Sequence, residues 1–157
     1  MAALAALCVL TTPVHAQDLV TYGTVGVWDI LVDPTIGNGC LINTVFEDGS
    51  DVRIGFDPEG GAGYLLAMND NWGDIVEGQV YPIAMDVDGQ VYNGEGIGIY
   101  IDDMPGVDIA FDNVDFLMDV AARQTLTLSN DSGPVMSIDL TDTAPALSEA
   151  IDCQEAQ

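Results

Sequence analysis

The chain has no lysine, two arginines (Arg53 and Arg123) and one histidine, His15. Without lysine there is no Schiff-base amine and no lysine-activated serine. The single imidazole lies in a segment that reads as a removable leader. Once that leader is cut, neither a Ser-His-Asp nor a Cys-His apparatus can be assembled. A zinc site built from Cys and His ligands is excluded on the same ground. No strand–P-loop–helix signature occurs, and no apolar run after the leader is long enough to span a bilayer.

Cysteine is scarce as well: Cys8, Cys40 and Cys153. Residues 1–16, MAALAALCVLTTPVHA, hold an uninterrupted apolar run from Ala2 to Leu10. Val14-His15-Ala16 then supplies the small or apolar positions that signal peptidase prefers. The expectation is a cleaved signal peptide over 1–16 and a single acidic β-rich domain over 17–157. The n-region departs from the usual pattern, because it carries no Lys or Arg. Leu7 stands where a lipoprotein signal needs a small residue, which argues against a lipid anchor at Cys8. Cleavage leaves Cys40 and Cys153, an even pair, and an oxidising compartment makes them a disulfide. Closing so long a loop stabilises the fold by roughly 4–5 kcal/mol in the chain-entropy picture. The implied location is the periplasm or the extracellular space.

What the chain has in abundance is acid. Asp and Glu total 26 against Lys and Arg 2, a formal net charge of −24. Such a surface repels phosphate backbones and anionic lipid, so nucleic-acid binding and membrane insertion are not expected. It attracts basic proteins and divalent cations, and it also keeps a protein soluble in a salty medium. Hydrophobic residues make up 48% of the chain, enough for a real core and too many for disorder. A monomer is assumed.

Gly, Asp, Asn and Pro punctuate the chain every eight to twelve residues, the rhythm of an all-β sandwich or barrel. The expected fold is mainly β, a sandwich or partly open barrel of about 8–10 antiparallel strands, with one or two short helices near the C-terminus. The first strand is read over 23–32 and the second over 40–46. Glu47-Asp48-Gly49-Ser50 forms a hairpin turn before a strand over 51–57. Strands follow over 64–68, 80–87 and 90–101, with Asp88-Gly89 as a turn. Gly94, Gly96 and Gly98 share one face of the last of these, and Ile97, Ile99 and Ile101 the other. A bare face of this kind suits an aromatic such as Trp28 or Trp72 lying against it. Asp102 to Gly106 reads as a turn and 107–111 as a strand. Asp112 caps a helix whose apolar residues Val114, Leu117, Met118 and Ala121 recur at helical spacing. A hairpin over 124–140 and a helix capped by Asp142 or Thr143 complete the chain, with Cys153 stapling that helix to the strand at Cys40.

Chemistry left to such a chain rests on carboxylates, with or without a hard metal ion. Asp131-Ser132-Gly133 matches the aspartic-protease triplet but occurs once, where a turn is expected. No cofactor is expected, and calcium is the most credible ligand. Its candidate ligands are Asp86 and Asp88 in one turn and Asn69, Asn71 and Asp74 in another, neither fitting the EF-hand pattern. Trp72 is the candidate for contacting a ligand. No catalytic residue stands out among the acids. The favoured reading is a non-enzymatic binding protein for a cationic partner. The alternatives are a carboxylate-based hydrolase, a lipocalin-like container for an apolar ligand, and a calcium-binding module.

Overall fold

The computed structural model describes residues 18–57 and 62–157. The signal-peptide expectation, Cys8 and His15 lie outside the described residues. Ten antiparallel strands form one continuous sheet in the order β1-β2-β3-β4-β5-β8-β7-β6-β9-β10. They are β1 Val20–Val25, β2 Trp28–Asp33, β3 Gly39–Val45, β4 Asp51–Asp57, β5 Ala62–Met68, β6 Val80–Val87, β7 Gln90–Ile101, β8 Met104–Phe111, β9 Thr125–Asn130 and β10 Gly133–Asp139. Helix α1, Val114–Ala121, joins β8 to β9, and α2, Thr143–Glu155, follows β10.

Period-2 alternation builds the inner face. Ile42 faces Ile54, Ile54 faces Leu65, and Leu65 faces Ile109 across four successive strands. On the other side of β7, Met85 faces Leu128, and Leu128 faces Met136. All these side chains are buried in one core. The sheet curls, since Ser137 of β10 and Phe46 after β3 line one recess although six strands separate β3 from β10 in the sheet order.

Helix α2 fills the trough under β1, β2 and β3. Thr143, Ala146, Leu147, Ala150 and Cys153 recur every three or four residues and are all buried, which makes one apolar stripe. Their small size lets the helix sit close to the strands. The Trp28 indole N–H donates to the Thr141 carbonyl at 3.0 Å. The backbone N–H of Cys40 donates to Gln154 Oε1 at 2.9 Å. Between these anchors, Cys40 and Cys153 form the expected disulfide, both fully buried. Helix α1 packs on β5 and β8 and against α2, with Phe116 edge-on to Tyr92 at 4.9 Å between ring centroids.

The structure corrects several sequence expectations. The first strand is two strands, because Gly26 at φ 59° turns the chain between Val25 and Trp28. The Asp102 to Gly106 turn is only two residues long. Asp102 and Asp103 both adopt positive φ, at 51° and 69°, so the strand begins at Met104. This is the conformation of a primed hairpin turn. The cap of α1 is Asn113 rather than Asp112, its side-chain oxygen accepting from Asp115 N at 2.9 Å. Asp142 flanks α2 at φ 61° but makes no side-chain capping bond.

Candidate functional site

Strands β5 and β6 are consecutive in sequence but separated by β8 and β7 in the sheet. Residues 69–79 must therefore cross two strands. The β7 glycines permit that crossing. A Cβ at Gly98 would collide with the Val76 carbonyl oxygen. Gly98 and its neighbours instead bind the crossing chain: Gly78 N–H donates to Gly98 O, and Gly98 N–H to Gln79 O, both at 2.8 Å. Neither Trp28 nor Trp72 takes that position, in contrast to the sequence expectation. Gly96 is covered from its own sheet, where a Cβ would meet Val107, Ile109 and Ile83 at 3.3–3.4 Å.

Two tyrosines clamp the crossing. The Val76 N–H donates to the Tyr81 hydroxyl at 2.8 Å, and the Tyr100 hydroxyl donates to the Ile75 carbonyl at 2.9 Å. Its other end is fixed by Asn69, which is buried. Asn69 Nδ2 donates to Ser50 Oγ at 2.9 Å, and Asn69 Oδ1 accepts from Asn71 N at 2.8 Å. Trp72 N–H donates to the Asn69 carbonyl at 3.0 Å, which places the indole beside the core.

Beside this crossing is a cavity of about 250 Å³. Ile83, Val107 and Leu128 line it from the sheet, and Trp72 and Tyr81 add aromatic walls. Asn71, Asp74 and Asn130 contribute polar groups, and Val135 of β10 completes the lining. Apolar walls with a few polar groups are the usual make-up of a small-ligand site. Trp72 was legible as a ligand-contact candidate. Tyr81, Ile83, Val107, Leu128 and Val135 were not, because they read as ordinary strand residues and come together only through the sheet order.

The remaining sequence candidates are dispersed. Asp74 lines the cavity, as does Asn71. The Asn69 side chain is occupied by its two bonds. Asp86 Oδ1 accepts from Gly89 N at 2.7 Å, inside its own hairpin. Asp88, at φ 50°, accepts from Gln124 N at 3.1 Å and Thr125 N at 3.0 Å, tying the β6–β7 turn to the start of β9. Among the described residues no group of three His, Cys, Asp or Glu side chains gathers in metal-binding geometry. Asp131-Ser132-Gly133 forms the β9–β10 turn, with Ser132 N–H donating to Asn130 Oδ1 at 2.8 Å.

Two groups whose pKa burial raises lie on the opposite, outer face. Burial raises the Asp108 carboxyl above the ordinary carboxylate range, and its Oδ1 has no hydrogen-bond partner. Burial also raises the Tyr64 hydroxyl, with Asp33 adding to the effect. Arg53 pairs with Asp51 at 3.4 Å on this face. Alternation along β8 puts Val107 at the cavity and Asp108 behind the sheet, so this raised acid does not serve the cavity.

No protein-family model matches the chain, and no curated protein matches it in sequence. In fold it is similar to the crystal structure of invasion associated protein B from Bartonella henselae. The two share 18% identity with a TM-score of 0.59, covering 88% of this chain and 99% of the other. That likeness concerns the fold.

Proposed function

We propose that this chain is an exported, non-enzymatic binding protein whose cavity receives an apolar group presented by a cationic partner. The cavity beside Trp72 and Tyr81 carries the reading. Its volume of about 250 Å³ exceeds the 150 Å³ site that admits benzene, and falls below the range of about 300–1,000 Å³ usual for drug-sized ligands. A single aromatic or aliphatic side chain suits that size better than a lipid chain, which disfavours the container reading. Asp74 at the cavity and the formal charge of −24 favour a positively charged carrier. The buried disulfide supports an oxidising destination, periplasmic or extracellular. Among the described residues no helix is long and apolar enough to cross a membrane.

The test is a calorimetric titration of the oxidised protein with short basic peptides carrying one central Trp or Leu, at low and high NaCl. The expected result is saturable binding that weakens with salt and is lost on replacing the central residue by Gly or on Trp72→Ala. Binding insensitive to the central residue overturns the cavity reading, and binding insensitive to salt overturns the cationic partner.

A further inference from the structure

Strand β10 ends the sheet on the side of the cavity. Among the described residues its one strand partner is β9, with Met136 opposite Leu128 and Ile138 opposite Leu126. The Leu140 N–H donates to Gln124 O at 2.9 Å in the same register. Residues of that parity turn their backbone groups toward β9, so Ser137 and Asp139 turn theirs away. Among the described residues no strand pairs with that outer edge.

Three features make this edge more than a bare sheet border. The register slips between Pro134 and Met136, and the extra residue, Val135, lines the cavity. The edge thus starts at the cavity that the proposed function assigns. Second, the edge borders another recess, of about 360 Å³, lined by Ser137 and by Phe46, Glu47, Asp48 and Ser50 of the β3–β4 turn. Third, acids flank it throughout: Asp131 in the turn before β10, Asp139 on β10 itself, and Glu47 and Asp48 across the recess. Exposed edges invite strand addition. A second copy would bring the same acids against these, so self-pairing is opposed by like charge, whereas a basic segment is drawn in.

Resting on the cavity assignment above, we propose that the outer edge of β10 accepts an extended basic peptide segment as an added strand. Backbone bonds to Ser137 and Asp139 set its register, and one of its apolar side chains enters the cavity beside Val135. Main-chain pairing supplies affinity in this mode and the side-chain pocket supplies selectivity. The partner is therefore a protein with an accessible, extended segment of alternating basic and apolar residues.

The experiment uses the full oxidised chain and the synthetic peptide Lys-Val-Arg-Leu-Lys-Val-Arg. Two derivatives carry N-methyl groups on alternate amides, in one register or the other, with charge and side chains kept. Only the register that faces β10 is needed for pairing. One derivative is expected to bind at least about tenfold more weakly than the parent, through two or more lost backbone bonds, and the other nearly as well as the parent. Ser137→Pro, which removes an outward N–H at an edge position, gives a similar loss for the parent peptide. If both derivatives bind like the parent, strand addition is wrong. The cavity assignment survives that result provided Trp72→Ala still weakens binding. Hydrogen-exchange protection of Ser137 and Asp139 by the parent peptide supports the proposal independently of either variant, and its absence at saturation overturns it.

Discussion

Replacing both Cys40 and Cys153 by alanine removes a crosslink between residues 113 apart in sequence. The chain-entropy relation assigns such a loop about 4.8 kcal/mol at 25 °C. Both cysteines are fully buried, so truncation to alanine adds a packing loss to the entropic one. For a domain of this size each kcal/mol moves the melting temperature by roughly 3–4 °C, so a fall of roughly 15 °C or more is expected. Circular dichroism melts of the oxidised parent and the double variant, without reductant, read the difference. The native disulfide should also resist mild reductant below the transition, because no thiolate reaches it without local opening. The opposing possibility is that α2 docks by its apolar stripe alone, through Ala146, Leu147 and Ala150. A melting temperature within a few degrees of the parent would refute the assignment of the crosslink as the main tie between the chain's last helix and β3.

Two further outcomes follow from the site and the outer face. Gly98→Val should destabilise by roughly 1–3 kcal/mol and abolish peptide binding, because the crossing at Val76 must move away. Gly94→Ala is its control, since a Cβ there meets only the end of Met85 at 3.6 Å and should leave binding intact. For Asp108, the raised carboxyl holds its proton to higher pH in the folded than in the unfolded chain. Stability then declines as pH rises from the unfolded value of 3.8 through the higher folded one. Asp108→Asn should stabilise the fold at pH 7 by about 1 kcal/mol, a figure kept low for partial solvent screening, and so raise the melting temperature there while leaving it unchanged at pH 3. A gain of equal size at both pH values would exclude ionisation as its cause.

Turns written in Asp-Gly were legible in the sequence, because the backbone they need is one those residues adopt cheaply. Asp88 and Gly89 do adopt positive φ, and the strands on either side run as read. The Gly26 turn is hidden because its residues, Gly26-Val27, lie between Val25 and Trp28 with no Asn or Asp inside the turn to mark it. Asp102-Asp103 was read too long, since Pro105 and Gly106 looked like turn residues yet pair within β8, opposite Tyr100 and Ile99. The α2 stripe and the Cys40–Cys153 bond were both legible, one from spacing and one from counting. The cavity was hidden. Its lining comes from residues 71–75, 81–83, 107 and 128–135, and only the out-of-sequence placement of β8 and β7 between β5 and β6 brings those stretches together.

The helix that covers the first three strands is made from residues far later in the chain, Thr143–Glu155. Trp28, Ile30, Cys40 and Ile42 belong to the earliest strands, and their cover arrives only with residues 143–155. A chain emerging in order from its N-terminal end thus carries an unshielded oily surface until residues 143–155 arrive. Its sulfurs cannot meet until the final turn of helix is present. A copy cut before residue 143 would leave that surface bare and Cys40 without its partner sulfur, the kind of species that aggregates or is cleared.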